Sequence, residues 1–496
     1  MSRINTNVGS MLAQRVMNQQ NTSLNQSLER LSTGLRINRG GDDPAGLIAS
    51  ENLRSEQAAL NAAISNAERA DQVVNVAEGG LQEINAMLLE MQSLIGESAN
   101  DAGLSREEKE ANQQQIDAIM QSIDRIASTT SFQGTKLLNG SFDFQVDNLN
   151  AGVDELKVHG AKLGSNEMDI NVIINQSAQR GGLVLDFDGG LALGSGAGQD
   201  RFAIELGGAD GSRLFEFASG QSTADMATQI NSFTGVTGVS AVASGNAVVI
   251  RATEFGSSNF VSARVVNDGG ADGSISVLSG TEVDAGSEVD FSAANSIVRG
   301  DGQDVGGFVN GQAARGDGLN LQINSDMLNA SITLSEDAAG TLGNLAVGTI
   351  TGGGAKFNLG PSVDMNNEVR LGIGNVAARN LGNSSVGFLS DLGSGRDANV
   401  VDGDLGKAQD VVNAAIKEVS TLRGRLGSFQ SNVVRSTINS LGVTLENVSA
   451  AESAIRDTDF AAETAEMTRS QILAAAATQT LGMANAQPQS VLQLLG

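Results

Sequence analysis

The chain of 496 residues contains no cysteine, no tryptophan and no tyrosine, three prolines and a single histidine, His159. Without cysteine there are neither disulfides nor thiolate metal sites, so the chain suits any redox compartment and can be handled unfolded without cross-linking. Without tryptophan or tyrosine it lacks the usual aromatic anchors of interfaces, and any association must come from aliphatic seams and amide side chains. Positive charge is scarce: 31 Lys and Arg face 57 Asp and Glu, a formal charge of −26. Nucleic acid and anionic membrane surfaces are poor partners for such a chain, because both require clustered cations. No run reaches the ~18 apolar residues of a membrane-spanning helix. The first twenty residues lack the basic start and apolar run of a secretory signal, so the chain is expected either to stay inside or to leave by a route that reads no such signal.

Both ends are patterned as helices. Every seventh residue from Leu53 gives Leu60, Ala67, Val74, Leu81, Leu88 and Ile95, with Ala63, Ala70, Ala77, Ile84 and Met91 three further on. This is the seam of a supercoiled helix. Leu405, Val412, Val419, Leu426 and Val433 answer it near the C-terminus, interleaved with Ala408, Ala415, Leu422 and Phe429. The phase shifts near Val434, after which Ile438, Leu441, Leu445 and Val448 carry the seam.

The extreme ends are different. Residues 4–28 hold one charge, Arg15, and nothing after Arg469 is charged. Leu24, Leu28, Leu31 and Leu35 step down one helical face, and Leu481, Met483, Val491, Leu492, Leu494 and Leu495 punctuate the tail. A charge-free, amide-rich helix is only marginally stable alone, so each end is expected to pair with the other and with neighbouring subunits, the apolar residues of the C-terminal tail being buried only on assembly. Asp43 can cap a helix that begins at Pro44 and runs to about Ser98, roughly 80 Å at ~1.5 Å per residue. Gly79-Gly80 weakens it locally or permits close approach. Ser105 and Glu108 form a capping box for a third helix, whose Ile116, Ile119, Ile123 and Ile126 form one stripe.

Glycine is concentrated between the helical ends: 33 of 61 fall in 181–355 and only five in 45–130. From Phe132 the apolar period becomes two. Ile170/Val172/Ile174, Leu183/Leu185/Phe187, Phe202/Ile204/Leu206, Leu319/Leu321/Ile323, Ile332/Leu334, Phe357/Leu359 and Val369/Leu371/Ile373 alternate with polar residues, as in antiparallel sheet. One helical stretch, 224–231, interrupts them. The fold class expected is α+β multidomain, a coiled-coil-like bundle built from both chain ends with an inserted β-rich outer region. Its divisions are expected at 1–44 with 456–496 (terminal helices), 45–180 with 356–455 (helical core with hairpins) and 181–355 (outer insertion of one or two subdomains).

Chemistry is hard to find. One histidine supports neither a paired-histidine metal site nor a confident triad. Gly352-Gly353-Gly354 lacks the Lys-Ser/Thr of a phosphate loop. The hexamer Gly-Gly-Ala-Asp-Gly-Ser, at 207–212 and 269–274, lacks the order of calcium-binding repeats and reads as a turn in two similar β units. No catalytic, cofactor or metal site is expected.

Several blocks resemble bacterial flagellin: Glu29-Arg30-Leu31-Ser32-Thr33-Gly34-Leu35-Arg36-Ile37-Asn38 followed by Asp42-Asp43-x-Ala45-Gly46, then Gly80–Asn85 and Ser131–Leu138. C-terminal counterparts are Leu422-Arg423 with Leu426-Gly427, Ile455–Ala461 and Met467–Leu473. Ala227–Asn231 with Gly235-Val236-Thr237 is similar to a short repeat of flagellins and hook-associated proteins. The resemblance implies a homopolymeric filament subunit, extracellular on the flagellum, exported unfolded through the flagellar secretion channel with a chaperone on its C-terminal end. Filament cap and hook-associated proteins are further implied partners. A hook–filament junction protein is the alternative within this class. An adhesin on a coiled-coil stalk would not need these end blocks, and a zinc protease insertion is excluded by the single histidine. The resemblance also places recognition by an innate immune receptor at Glu90, Leu94 and Gln115. Activating relatives carry Arg and Glu at the first and last of these positions, so binding to that receptor is expected to be weak here.

Overall fold

The computed structural model describes residues 6–100, 103–163, 167–188, 190–193, 201–280, 282–284 and 287–495, with the side chains of 279, 282 and 488–495 left aside. Its helices are α1 (Val8–Thr33), α2 (Pro44–Ser98), α3 (Arg106–Thr129), α4 (Thr223–Asn231), the short α5 (Thr234–Thr237) and α6 (Glu336–Gly340), α7 (Leu405–Ser428), α8 (Arg435–Arg456) and α9 (Phe460–Leu495). The chain divides into two compact units, residues 1–72, 358–367 and 428–496, and residues 73–357 and 368–427.

The helix boundaries follow from local chemistry. Asp43 Oδ1 accepts the Gly46 N–H at 2.9 Å and Pro44 opens α2. Ser105 and Glu108 cap α3 reciprocally. The long seam is buried as its heptads require: Leu60, Val74, Leu81, Leu88 and Ile95, and the alternating Ala63, Ala70, Ala77, Ile84 and Met91, are all inaccessible. Leu53 is only half-buried. On α7, Val412, Val419, Leu422 and Leu426 are buried with Ala408 and Ala415, while Leu405, at the first position of the helix, is half-buried. The expected phase shift has a backbone cause. A π-helical turn, Phe429–Val434, links α7 to α8; it adds a residue to the turn, so Val434 is buried where Val433 would have been. Phe429 closes the first phase and Leu441 opens the second, against Leu60 and Ala63.

The two glycines of α2 differ. A Cβ on Gly80 would lie 2.8 Å from Leu138 Cδ1 and 2.9 Å from Thr130 Oγ1, whereas one on Gly79 would meet nothing within 4 Å. Gly80 is the close-approach residue; Gly79 only costs helix stability, about 1 kcal/mol relative to Ala.

The β-rich middle forms two cores, and their division departs from the expected insertion at 181–355. An eight-stranded antiparallel sheet runs in the order Phe144–Asp147, Gly343–Gly353, Met168–Gln176, Gly306–Val309, Gln312–Asp317, Asn320–Asn324, Leu328–Leu334 and Val153–Ala161. Its core joins Ile170, Val172 and Ile174 to Leu321, Ile332 and Ile350, so residues on both sides of 181 belong together. A second core lies wholly within 183–298. It sits between a six-stranded sheet containing Gly182–Phe187, Ala247–Ala252 and Gly273–Ser279 and a four-stranded one containing Phe260–Asn267 and Arg201–Gly207, with α4 packed alongside. Phe187, Phe202 and Phe291 meet there with ring centroids 4.9 to 5.5 Å apart. The chain enters and leaves this region side by side: Gln179 and Gln303 exchange backbone hydrogen bonds of 2.8 and 2.9 Å. The 207–212 hexamer is the turn between paired strands Arg201–Gly207 and Ser212–Ala218, and 269–274 leads into Gly273–Ser279.

α7 is tied to the eight-stranded sheet by charge. Lys157 Nζ donates to Glu418 at 2.8 Å and lies 3.1 Å from Glu155. Burial opposes the Lys157 charge, but Glu418 and Glu155 overcome it and hold its pKa above the ordinary value. Arg425 donates to the Gly372 carbonyl at 2.9 Å and to His159 Nδ1, so the imidazole is neutral with its proton on Nε2. Burial, with Arg425 and Lys157 adding like charge, pushes the His159 pKa down to about 3. Burial likewise lowers Arg425 to about 10 and raises Asp143.

The sign of the resulting pH dependence is fixed. The unfolded chain takes up the His159 proton below the ordinary pKa of 6.5, whereas the folded chain resists until about 3. Stability from this group is complete above pH 6.5 and is lost as pH falls toward 3. Denaturant midpoints measured between pH 7 and 4 should therefore fall, and His159→Gln, which keeps an acceptor for Arg425 but does not titrate, should make the fall shallower. An unchanged slope in His159→Gln would show that other groups set it.

Candidate self-assembly surface

The charge-poor ends form a helix pair. α1 and α9 run antiparallel: Asn7 Nδ2 donates to the Ala484 carbonyl at 2.7 Å, Ser10 Oγ to Asn485 Oδ1 at 2.6 Å, and Arg30 reaches Glu463 at 3.6 Å. The residues buried along this pair are small: Ala13 and Ser27 on α1, Ser470 and Ala477 on α9. With few charges to mark an outer face, the helices approach through their smallest side chains. On α9 the half-buried or buried positions 463, 467, 470, 474, 477, 481 and 484 step by four and three along one face, so Leu481 belongs to the pair itself.

The connection between the ends is built from the sequence blocks singled out above. α1 stops because Gly34 adopts φ +74° and its N–H closes on the Arg30 carbonyl, a conformation that disfavours a side chain. Leu35 therefore leaves the helix, correcting its place on the Leu24/Leu28/Leu31 face; it forms a bridge with Asp457 instead. Arg36 N donates to the Arg456 carbonyl at 2.7 Å and Thr458 N to the Gly34 carbonyl at 2.9 Å, while the Arg36 guanidinium holds the Ile455 carbonyl at 2.6 Å. Asp42 folds the following loop by accepting the N–H groups of Arg39 and Asn38, and the Arg39 bond leads the influences that hold its pKa below the ordinary value. Ile37 is buried over Gly46, where a Cβ would lie 2.7 Å from Ile37 Cδ1. The Glu29–Asn38 block and the Ile455–Ala461 block are thus partners in space. Arg456 adds an ion pair to Glu51 on α2 at 3.1 Å.

Outside the pair, large apolar side chains face solvent. Val8, Met11, Leu12 and Val16 follow one face of α1, and Ile472 and Met483, three turns apart, lie on the side of α9 opposite its α1-facing stripe. Leu473, Phe460 and Leu28 are also exposed, while Leu24 and Leu31 are half-buried. The reading by leucine spacing missed Val8, Met11, Leu12, Val16 and Ile472; the spacing of three and four from Val8 to Val16, in a segment whose one charge is Arg15, was the available signal on α1. The side chains of Val491, Leu492, Leu494 and Leu495 lie outside the described residues. Of the three receptor-face positions, Glu90 and Gln115 are exposed, but Leu94 is buried at 8% and does not join them at the surface. Among the described residues no cluster of acidic and histidine side chains could hold a metal, and no helix is long and apolar enough to cross a membrane.

Two ends that close into one bundle and leave apolar stripes uncovered define a self-associating structural subunit. Residues 4–143 match the bacterial flagellin N-terminal helical region, 409–495 the C-terminal helical region, and 202–254 the flagellin hook IN motif. The chain is 30% identical to B-type flagellin of Pseudomonas aeruginosa over 542 residues and to flagellin B of Helicobacter pylori over 540, covering 99% of both chains in each case. Polar flagellin B/D of Vibrio parahaemolyticus is 28% identical over 507 residues, again across 99% of each chain. Among solved structures, FliC from Burkholderia pseudomallei covers 74% of this chain and 99% of its own, at 13% identity and a TM-score of 0.24. The flagellar cap protein FliD D2-D3 domains from Serratia marcescens cover 41% of this chain and 99% of their own, at 18% identity and a TM-score of 0.23. The chain belongs to the bacterial flagellin family. It is a structural subunit of the flagellar filament, an extracellular polymer.

Proposed function

We propose that the subunit enters the filament through the exposed stripes of α1 and α9. The observation that carries this is the placement of Met11, Leu12, Ile472 and Met483 in solvent on a helix pair whose fully buried side chains, among the described residues, are all small. Burying each large side chain contributes about 1.5–3 kcal/mol, an upper bound where cover is partial. The test is Ile472→Asp. Its side chain is 64% exposed, so the monomer should keep its helical circular dichroism while seeded polymerisation is lost; normal filaments would overturn the reading.

Export in an unfolded state, with a chaperone on the exposed face of α9, fits the absence of cysteine and the weak apolar cover of that helix. The outer core at 183–298 would face away from the filament axis, and the filament cap and the hook-associated proteins would meet the same terminal helices. Weak engagement of the innate immune receptor rests on Glu90 and Gln115, which present a carboxylate and an amide where activating relatives have Arg and Glu. Arg supplies a forked donor that Glu90 cannot, and losing a buried charged contact costs ~2–5 kcal/mol. Reporter cells exposed to monomer should respond weakly, and Glu90→Arg with Gln115→Glu should raise the response. A wild-type response equal to that of an activating flagellin would end this reading.

A further inference from the structure

The chain has no Cys, Trp or Tyr, and its one histidine sits beneath Arg425, so methionine thioethers are its principal targets for mild oxidants. Twelve methionines are present, but they are not equivalent. Met91 and Met226 are fully buried, whereas Met11 and Met483 are 64% and 65% exposed. These two lie at the same end of the helix pair: Asn7 and Ser10, just before Met11, bond to Ala484 and Asn485, just after Met483. Val8 and Leu12 beside Met11 are exposed as well, and no charge occurs in 4–14 or in 470–496. This end is an apolar surface poor in charge, with Arg15 one turn beyond Met11, and two sulfur atoms can change its polarity.

We propose that Met11 and Met483 form an oxidant-sensitive gate on assembly, modified by peroxides in the free subunit and shielded in the filament. The inference rests on the reading that the α1 and α9 stripes are the assembly surface. In the reaction a thioether lone pair attacks one peroxide oxygen. The S–O bond forms, the O–O bond breaks, the sulfur loses two electrons, and the departing oxygen takes up a proton to leave as water or an alcohol. The sulfoxide is polar and a strong acceptor. In the monomer it faces water and costs little, but between subunits its polar oxygen loses that water among apolar side chains, which is costly. Oxidation therefore stops free subunits from joining while leaving a finished filament intact. Enzymatic or chemical reduction of the sulfoxide restores competence.

The test treats purified full-length monomer and preformed filaments separately with hydrogen peroxide, maps sulfoxides by peptide mass spectrometry, and measures the critical concentration for seeded growth. In the monomer, sulfoxides at both positions should raise that concentration about tenfold or more with unchanged helical circular dichroism. The Met11→Leu, Met483→Leu double variant, a near volume-conserving change, should polymerise with and without peroxide. Single substitutions serve if the double variant folds poorly. Oxidised wild type that grows as readily as untreated protein would overturn the gate, as would loss of growth in the peroxide-treated leucine variants. Equal oxidation rates at both positions in monomer and filament would instead overturn their burial on assembly, a separable failure of the underlying reading.

Discussion

Removal of residues 1–40, or of 460–496, should leave a soluble chain that forms no filaments under conditions in which the intact chain does. The reason lies in the mutual dependence of α1 and α9. Each is uncharged over much of its length and, among the described residues, fully buries only small side chains, so neither has the apolar face that would keep it helical once its partner is gone. Deleting residues 1–40 also removes the Gly34 and Arg36 backbone groups that pair with Thr458 and Arg456. The surviving end should therefore lose order, and helical circular dichroism should fall by more than the deleted residues account for. The seam from Leu60 to Ile95 and that of α7 keep their own partners, which is why the remainder stays folded. Negative-stain microscopy decides the matter: filaments from either truncation would show that the ends are not the assembly elements.

Excision of the outer core should have the opposite outcome, provided the cut is placed by the structure. Gln179 and Gln303 already form an antiparallel bridge, so a short Gly/Ser linker replacing 182–300 joins strands that lie side by side. The lost contacts are Phe255, which packs against the core of the eight-stranded sheet and lies under the Arg180 guanidinium at 4.4 Å, the Ser257 bonds to Asp304, and the backbone bonds of Gly256 to Gln179 and of Gly302 to Asn259. Filaments should remain, thinner and somewhat less thermally stable, because Phe255 no longer covers the core of the eight-stranded sheet. Replacing 182–354 should fail, because it removes five strands of the eight-stranded sheet and uncovers Ile170, Val172 and Ile174. Those side chains alone forfeit several kcal/mol, at ~1.5–3 kcal/mol each. Microscopy and thermal unfolding of the two deletions distinguish the cases; failure of the 182–300 excision to form filaments from a folded subunit would place essential contacts in the outer core.

The amino-acid pattern alone determines the long helices and where they begin. A heptad sustained from Leu60 to Ile95 has one apolar face, and only a helix can bury it; Asp43-Pro44 and Ser105/Glu108 fix starts through bonds to backbone N–H groups a few residues away. It determines the antiparallel strands for the same reason, since alternation is local. It even marks the slip near Val434, although the π turn that produces it is a backbone event. Three matters were left to the tertiary structure. Strand alternation carries no information about which strands share a core, so 306–353 looked continuous with 183–298 until pairing joined it to 144–176. The pairing face of the terminal helices was hidden because alanine and serine carry little hydrophobic signal, while Leu28, which does, stands outside the contact. Leu94 and Glu90, one helical turn apart, ended on different sides of the surface because burial depends on what packs against a helix as well as on its own spacing.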